Sequence, residues 1–182
     1  MSHILIAEVK TCSPFGWESK ESWEALFHLA SEAGDWLSIH TDPRWGGSFH
    51  HLYRARKQTN KPILAKGIHD SDEEVRAALG CGADYVLVVG RVPHYELMPK
   101  CILEPTSLRQ MNLMPSRQRV VWNSRDLSTG GLKKESFEDA RKIHGAGWLC
   151  QASNIRSRLD VHPKADAVLV GTHLRRFLRS HF

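Results

Sequence analysis

The feature that most constrains the fold of this chain is the regular alternation of short apolar runs with longer segments of helical periodicity. Such alternation is typical of βαβ units, in which parallel strands are joined by crossover helices. Eight runs predict strands at residues 4–9, 36–40, 62–66, 85–89, 102–104, 120–123, 148–151 and 167–170. Eight βα units predict an α/β fold in which the strands close into a (β/α)8, or TIM, barrel.

The segments between these runs predict the helices. In residues 22–33, Trp23, Phe27 and Ala30 recur at spacings of three and four on one face, and Gly34 is typical of a helix end. Ser71 precedes three acidic residues, as is common at a helix amino terminus. The other predicted helices cover residues 48–58, 108–113, 134–144 and 174–178.

The length of the chain limits how complete the barrel can be. Barrels of this class have about 250 residues, and about 200 at the low end, whereas this chain has 182. Residues 92–100 contain two prolines and leave no room for a full helix. We therefore predict one domain over residues 1–182, a trimmed barrel that lacks most of its fourth crossover helix.

The chain is basic, with a formal net charge of +5. This charge suits an anionic substrate or a nucleic acid, because net charge bears on partners rather than on fold. Beyond net charge, a nucleic-acid role rests only on Arg175, Arg176 and Arg179, which we expect to solvate the last helix. We predict no nucleic-acid partner.

Cysteine and histidine positions give no sign of disulfides or metal ligands. The four cysteines form no CxxC pair and are expected to be reduced, buried thiols: Cys12, Cys81, Cys101 and Cys150. His50 and His51 point in different directions on a helix, so we predict no metal. Ordinary surface or helix-end positions are expected for His28, His50, His51, His144 and His181. The chain shows no signal peptide and no apolar run of about 20 residues, which predicts a cytoplasmic protein without membrane contact.

Charged and polar residues stand where strands end, the place at which barrels of this class carry their sites. Glu8 and Lys10 share one side of the first strand by its period-two alternation, and Lys66, Glu104 and Asn123 end the third, fifth and sixth strands. Any one of them alone is best explained as a strand-end residue that reaches solvent. Together they predict a site, because buried charges are costly unless they are paired.

Several sequence blocks resemble the indole-3-glycerol phosphate synthase family. They are IAEVKTCSPFG at residues 6–16, LSIHTDPRWGGSFHHLYRAR at 37–56, PILAKGI at 62–68, NSRDL at 123–127 and VLVGTHL at 168–174. The blocks occur in the family's order and at nearly its spacing. The resemblance implies a decarboxylating ring closure of carboxyphenylamino-deoxyribulose phosphate to indole-3-glycerol phosphate, without a cofactor or a metal.

The resemblance also implies residue roles. Lys10 and Lys66 match the catalytic lysines and Glu104 the general base, while Glu8 would polarise the lysines and Asn123 would orient the substrate. The phosphate is expected at the loops after strands seven and eight, although a simple strand-ending turn is an alternative for Gly171. The residues expected to bind the phosphorylated substrate are Ser13, Trp45, Arg125, Ser153, Gly171 and Thr172.

The chain departs from the family pattern at four points. It begins at the first strand, so the family's amino-terminal extension is expected to be absent, and the fourth crossover is short. Ala152 and Asn154 replace a glutamate and a glycine in the seventh-strand motif, and Gly67 replaces an aspartate. A side chain at Asn154 is expected to obstruct close approach of the backbone to phosphate.

Three functions remain open from the sequence. The first is a lyase with the family reaction, and the second is a specialised paralogue that acts on another phosphorylated or carboxylated substrate. In the third, the barrel is a non-catalytic binding module. For the thinned side of the barrel we expect a cover, either a second copy of the chain or a partner protein.

Overall fold

Eight parallel strands close into a barrel in sequence order, each pairing with its neighbours and the last with the first. A computed structural model describes residues 3–180. The predicted (β/α)8 barrel is confirmed. The strands are β1 (Ile4–Val9), β2 (Trp36–His40), β3 (Ile63–Lys66), β4 (Tyr85–Val89), β5 (Cys101–Glu104), β6 (Val120–Asn123), β7 (Leu149–Ala152) and β8 (Ala167–Val170). The expectation for His181 lies outside the described residues.

Helices surround the barrel incompletely. Within residues 3–180 the α-helices are α1 (Trp23–Ala33), α2 (Phe49–Gln58), α3 (Asp72–Gly80), α4 (Leu108–Met111), α5 (Phe137–His144) and α6 (Leu174–Arg179). All six helices predicted from the sequence are present, so six α-helices accompany the eight strands. The connections after β4 and β7 contain only the 3₁₀ turns Met98–Lys100 and Arg158–Asp160. The predicted shortening of the fourth crossover is confirmed, and the crossover after β7 likewise lacks an α-helix.

Serine residues define where most helices begin. Each serine hydroxyl accepts a hydrogen bond from a backbone N–H in the first turn, which satisfies a donor that the helix itself leaves without a partner. Because each crossover helix follows a βα loop, these capped ends lie at the same end of the barrel as the strand carboxyl termini. The capping serines are Ser22, Ser48, Ser71, Ser107 and Ser136.

Apart from Ser38 in β2, the barrel interior is apolar until the carboxyl-terminal parts of the strands. Ile6, Leu64, Leu87 and Ile102 are completely or almost completely buried and pack together inside the barrel. Glu8 follows Ile6 by two positions, so the period-two alternation of β1 also directs Glu8 inward. Polar chemistry is therefore confined to one end of a filled barrel.

The four cysteines differ in their burial. Cys101 and Cys150 are buried, as expected, but Cys12 and Cys81 are only half-buried, because they lie in a loop and at a helix end.

The short connection after β4 exposes two large apolar side chains, Val92 at 49% and Tyr95 at 74%. A cover over this side stays a prediction.

Candidate active site

A cavity of about 270 Å³ opens at the carboxyl ends of the strands. All eleven residues that the sequence singled out line it: Glu8, Lys10, Ser13, Trp45, Lys66, Glu104, Asn123, Arg125, Ser153, Gly171 and Thr172. The wall also includes Asn154 and residues that the sequence did not single out for the site, among them Phe15, Trp17, His40, Ile68, Leu127 and His173. Residues far apart in the chain thus share one small space.

Glu8 is the centre of a buried charge cluster. Its Oε1 accepts a hydrogen bond from Lys66 Nζ at 2.6 Å and lies 2.9 Å from His40 Nε2, and its Oε2 lies 3.8 Å from Lys10 Nζ. Burial by itself would raise the pKa of Glu8, but Lys66, Lys10 and His40 together hold that pKa well below its usual range. Glu8 is therefore ionised at neutral pH.

The two lysines have opposite pKa shifts although they share Glu8. Burial would lower the pKa of Lys66, but the negative charges of Glu8 and Glu104 outweigh burial and raise it. Burial lowers the pKa of Lys10 more than Glu8 raises it, and the positive charge of Lys66 adds to the lowering. Lys10 Nζ lies 5.0 Å from the centre of the Trp17 ring, which offers less compensation than a carboxylate. Lys10 is the better proton donor near neutral pH.

Glu104 lies across the barrel from Glu8, because β1 and β5 are four strands apart in a closed ring of eight. Its Oε1 accepts a hydrogen bond from Asn123 Nδ2 at 2.9 Å, and its Oε2 is buried without a hydrogen-bond partner in the part of the chain that the structure describes. Burial raises the pKa of Glu104, an effect that Lys66 and Asn123 offset in part. A carboxylate with a raised pKa suits a group that takes up and returns a proton near neutrality.

Glycine at position 171 is required by Glu8. A Cβ on Gly171 would stand 1.7 Å from Glu8 Oε2, far inside van der Waals contact. The end of β8 therefore passes directly over the carboxylate that joins the lysines. This close contact explains why residue 171 is a glycine without any reference to phosphate binding.

The loop after β7 has an unusual backbone. Ser153 and Asn154 both have positive φ angles, 69° and 55°, in the left-handed region that asparagine tolerates better than most residues. Asn154 thus adopts a backbone conformation that a glycine also allows. Arg125 lines the same cavity from the loop after β6, where its backbone N–H donates to Asn123 Oδ1 at 3.0 Å.

The space beside Gly67 is already occupied. A Cβ at this position would lie 2.6 Å from Thr41 Oγ1, and Thr41 Oγ1 lies 3.0 Å from His69 Nε2. His69 has a positive φ of 53° and is buried. The Thr41–His69 pair thus fills the space that a side chain at position 67 would need.

Two ionisable residues close to the carboxylates were not predicted from the sequence: His40 lines the cavity, and Lys133 lies outside its wall but lowers the pKa of Glu104. His40 pairs with Lys66 across β2 and β3 and ends its strand, so the strand-end rule applied to Lys66 would have identified it. Lys133 places its Nζ 4.5 Å from the centre of the Trp122 ring and donates to the Pro105 carbonyl at 3.2 Å. The sequence carries no signal for Lys133, because it lies in a loop.

Residues 3–180 show neither a metal-binding cluster nor a membrane-spanning helix. They contain no group of three or more histidine, cysteine, aspartate or glutamate side chains placed to hold a metal ion. None of the helices in this range combines the length and apolar character needed for a membrane span.

Comparison with known proteins connects the chain with distant relatives. No family model matches it. It is 29% identical over 193 residues to the indole-3-glycerol phosphate synthase of Pyrobaculum arsenaticum, covering 93% of this chain and 76% of that protein. The enzyme of the same name from Campylobacter curvus is 30% identical over 92 residues, which cover 48% of this chain and 35% of that protein. The match to its Campylobacter concisus counterpart likewise spans 34% of that protein.

A solved structure supports the fold. The crystal structure of 3-hexulose-6-phosphate synthase superposes with a TM-score of 0.65 over 92% of this chain and 89% of that chain, at 14% sequence identity. At this identity the likeness concerns the barrel only. The relatives in sequence, rather than this structural neighbour, bear on the chemistry of the cavity.

Proposed function

We propose that the chain is a carbon–carbon lyase that closes an indole ring by decarboxylation, the reaction that its resemblance to the indole-3-glycerol phosphate synthase family implies. The observation that carries this proposal is that two buried carboxylates in one cavity have pKa values shifted in opposite directions. Glu8, with its pKa lowered, sits between two lysines, and Glu104, with its pKa raised, faces them from across the barrel. Such a pair separates acid and base roles.

The first half of the reaction needs a proton donor and a fixed positive charge. The ring carbon that carries the carboxylate forms a bond to the ketone carbon, and Lys10 gives a proton to the ketone oxygen. Lys66, which stays cationic, holds the substrate carboxylate and stabilises the developing oxyanion. Loss of carbon dioxide returns the electron pair of the broken carbon–carbon bond to the ring.

The second half of the reaction removes water. The new hydroxyl leaves with a second proton from Lys10, which has first been reprotonated from solvent, and Glu104 accepts the proton that the ring system gives up. Glu104 Oε2 is suited to this step because none of the described residues bonds to it. Asn123 holds the other oxygen at 2.9 Å and so fixes the direction of the carboxylate.

The phosphate of the substrate is assigned to the loops after β7 and β8. Ser153, Gly171 and Thr172 line the cavity there, and Ser13 and Arg125 approach from neighbouring loops. The aromatic ring of the substrate is assigned to the side of Trp45. Binding through Ser153 also depends on the left-handed backbone at residues 153 and 154.

Purified protein mixed with carboxyphenylamino-deoxyribulose phosphate tests the proposal directly. We expect indole fluorescence to appear with the wild-type protein and to be lost in Lys66→Ala and Glu104→Gln. Turnover that persists unchanged in both variants would overturn the assignment of the residues. Binding without turnover would favour a non-catalytic module.

Glu104→Gln is expected to lower the activity of the protein and to raise its thermal stability. The rate of ring closure should fall by about 10²- to 10⁴-fold, the usual contribution of a general base. The melting temperature at pH 7 should rise, because a carboxyl whose folded pKa is raised costs stability as the pH rises from its unfolded pKa through its folded pKa. Glutamine keeps an acceptor for Asn123 and carries no charge.

Thermal melts of both proteins from pH 4 to pH 8 check this prediction. The advantage of Glu104→Gln should disappear below about pH 4.3, the unfolded pKa of glutamate. Asn123→Asp provides the matched comparison, since it introduces a second carboxyl beside Glu104 and should lower the melting temperature at pH 7. A Glu104→Gln protein less stable than wild type at pH 7 would contradict the assignment of a raised pKa.

A second candidate function is a related decarboxylation or cyclisation of another phosphorylated or carboxylated substrate. Ala152 favours it, because the family's carboxylate is absent from the end of β7. The closed space beside Gly67 also alters the wall. Thermal-shift measurements with the proposed substrate and with simpler aryl carboxylates and sugar phosphates would distinguish the two candidates by which class stabilises the protein.

A further inference from the structure

His40 is a buried imidazole that the proposed reaction does not use. It is 3% exposed, ends β2, and places its Nε2 2.9 Å from Glu8 Oε1. Its ring stacks on Trp45 with centroids 5.8 Å apart, and the backbone of Gly47 packs so closely on it that a Cβ there would stand 2.6 Å from His40 Cβ. The ring is therefore held in one orientation by its neighbours.

Packing alone does not explain an imidazole at this position. Its Nδ1 is buried and has no hydrogen-bond partner among residues 3–180, and a buried polar atom without a partner is unfavourable. A leucine would fill much of the same space without that cost. The compensating interaction is the bond from Nε2 to Glu8.

The direction of that bond follows from the charge state of Glu8. An ionised carboxylate can only accept hydrogen bonds, so Nε2 must carry the proton and donate it. Burial lowers the pKa of His40 to about 4, although Glu8 opposes this shift. At neutral pH the ring is therefore the neutral tautomer with the proton on Nε2.

We propose that His40 is a positioning residue of the cavity, which acts by holding the Glu8 carboxylate between Lys10 and Lys66 rather than by contacting the substrate. Lys66, at the end of β3, donates a hydrogen bond to Oε1. The bond from His40 to the same oxygen fixes the rotation of the carboxylate. Oε2 is then directed at Lys10 and at the close passage of Gly171. This inference rests on the proposed function for its effect on rate, but not for its geometry.

The charged groups around this network come from several strands. Glu8 is faced by Lys10 at the end of its own strand, by His40 and Lys66 from β2 and β3, and more distantly by Glu104 from β5. His40 also acts on the carboxyl of Asp42 in the loop after β2. A neutral donor at position 40 holds Glu8 without adding a third positive charge beside the two lysines.

Nuclear magnetic resonance on the ¹⁵N- and ¹³C-labelled protein tests the network without any substrate. We expect His40 to show the Nε2-protonated tautomer and no titration above pH 5. In His40→Leu the carboxyl pKa of Glu8 should rise, and in His40→Gln, which restores an N–H donor, it should return toward the wild-type value. An Nδ1-protonated ring, or one that titrates near pH 6.5, would overturn the proposal.

Trp45→Leu is the matched control for packing. It removes the ring that stacks on His40 but leaves the donor in place, so the Glu8 titration should stay close to that of the wild type. A shift as large as that of His40→Leu would mean that the effect comes from packing rather than from the hydrogen bond, which would also overturn the proposal.

Kinetics provide the second readout. For a positioning residue, His40→Leu should lower kcat about 10- to 100-fold, as expected for a hydrogen bond to a charged group, and shift the acid limb of the pH profile while KM stays unchanged. A raised KM with unchanged kcat would instead indicate contact with the substrate and refute the proposal. If the wild-type protein does not turn over the substrate at all, the proposed function fails, and the resonance measurements decide this inference alone.

Discussion

Replacing Lys66 with methionine is expected to reduce the rate of ring closure by about 10²- to 10⁴-fold and to destabilise the fold by about 3–5 kcal/mol at pH 7. Methionine retains much of the length of the side chain but leaves Glu8 without its 2.6 Å partner. The remaining cation, Lys10, lies 3.8 Å from the other carboxylate oxygen. A buried carboxylate with so little compensation must be protonated or destabilise the barrel.

The pH dependence of that loss identifies its cause. In the wild type the lowered pKa of Glu8 provides stability above its unfolded pKa, and this stability is lost as the pH falls through the folded pKa. The difference between Lys66→Met and the wild type should therefore be largest at neutral pH and should shrink toward acid pH. Denaturant melts at pH 7 and at several pH values below about 4.3, the unfolded pKa of glutamate, measure it, and a difference independent of pH would contradict the explanation.

A lysine in a different environment provides the control for Lys66→Met. The Lys164 side chain is 64% exposed and lies 3.5 Å from Glu138 on the surface. Lys164→Met removes the same charge, but surface ion pairs contribute little. We expect a change within about 0.5 kcal/mol and an unchanged rate of ring closure.

Gly171→Ala is expected to cost about 1–3 kcal/mol of stability and to abolish most activity, through a single added methyl group. The new Cβ would stand 1.7 Å from Glu8 Oε2, so either the carboxylate or the end of β8 must move. Movement of the carboxylate separates it from Lys66 and His40. Thermal melts and the fluorescence assay measure both effects.

Gly80→Ala is the matched control for this prediction. Gly80 is the last residue of α3, and a Cβ there would meet nothing within 4 Å. Replacement of glycine by alanine in a helix favours folding by about 0.4–1 kcal/mol, so this variant should be as stable as the wild type or more stable. A Gly171→Ala protein with wild-type stability and rate would show that the close passage over Glu8 is not rigid.

Sequence reasoning succeeded for elements whose residues are neighbours in the chain. The predicted bounds of β1, β2, β4, β6 and β8 are those of the structure, because short buried strands between breakers have a strong local signal. It also located the six outer helices, but it assigned no structure to the connection after β7, which contains a 3₁₀ turn. A short crossover gives little periodicity from which its structure can be recognised.

Some residues of the candidate site could likewise be identified from the sequence, and others could not. Lys66 and Glu104 could be identified because barrel topology brings every strand end to the same rim, whatever the details of packing. His40 also ends a strand but was overlooked. Lys133 lies in a loop, and no sequence pattern indicates its position near the site. Its place beside Trp122 depends on how the loop after β6 folds back.

The barrel and the set of charged residues at its rim could be predicted from the chain alone, because periodicity and strand order are local properties. The opposite pKa shifts of Glu8, held between two lysines, and of Glu104, across the barrel, emerge from the folded structure. The folded structure also leaves no room for a methyl group at position 171. A pKa and a steric limit depend on burial and on distances of a few ångströms between residues far apart in sequence, and no local pattern encodes these distances.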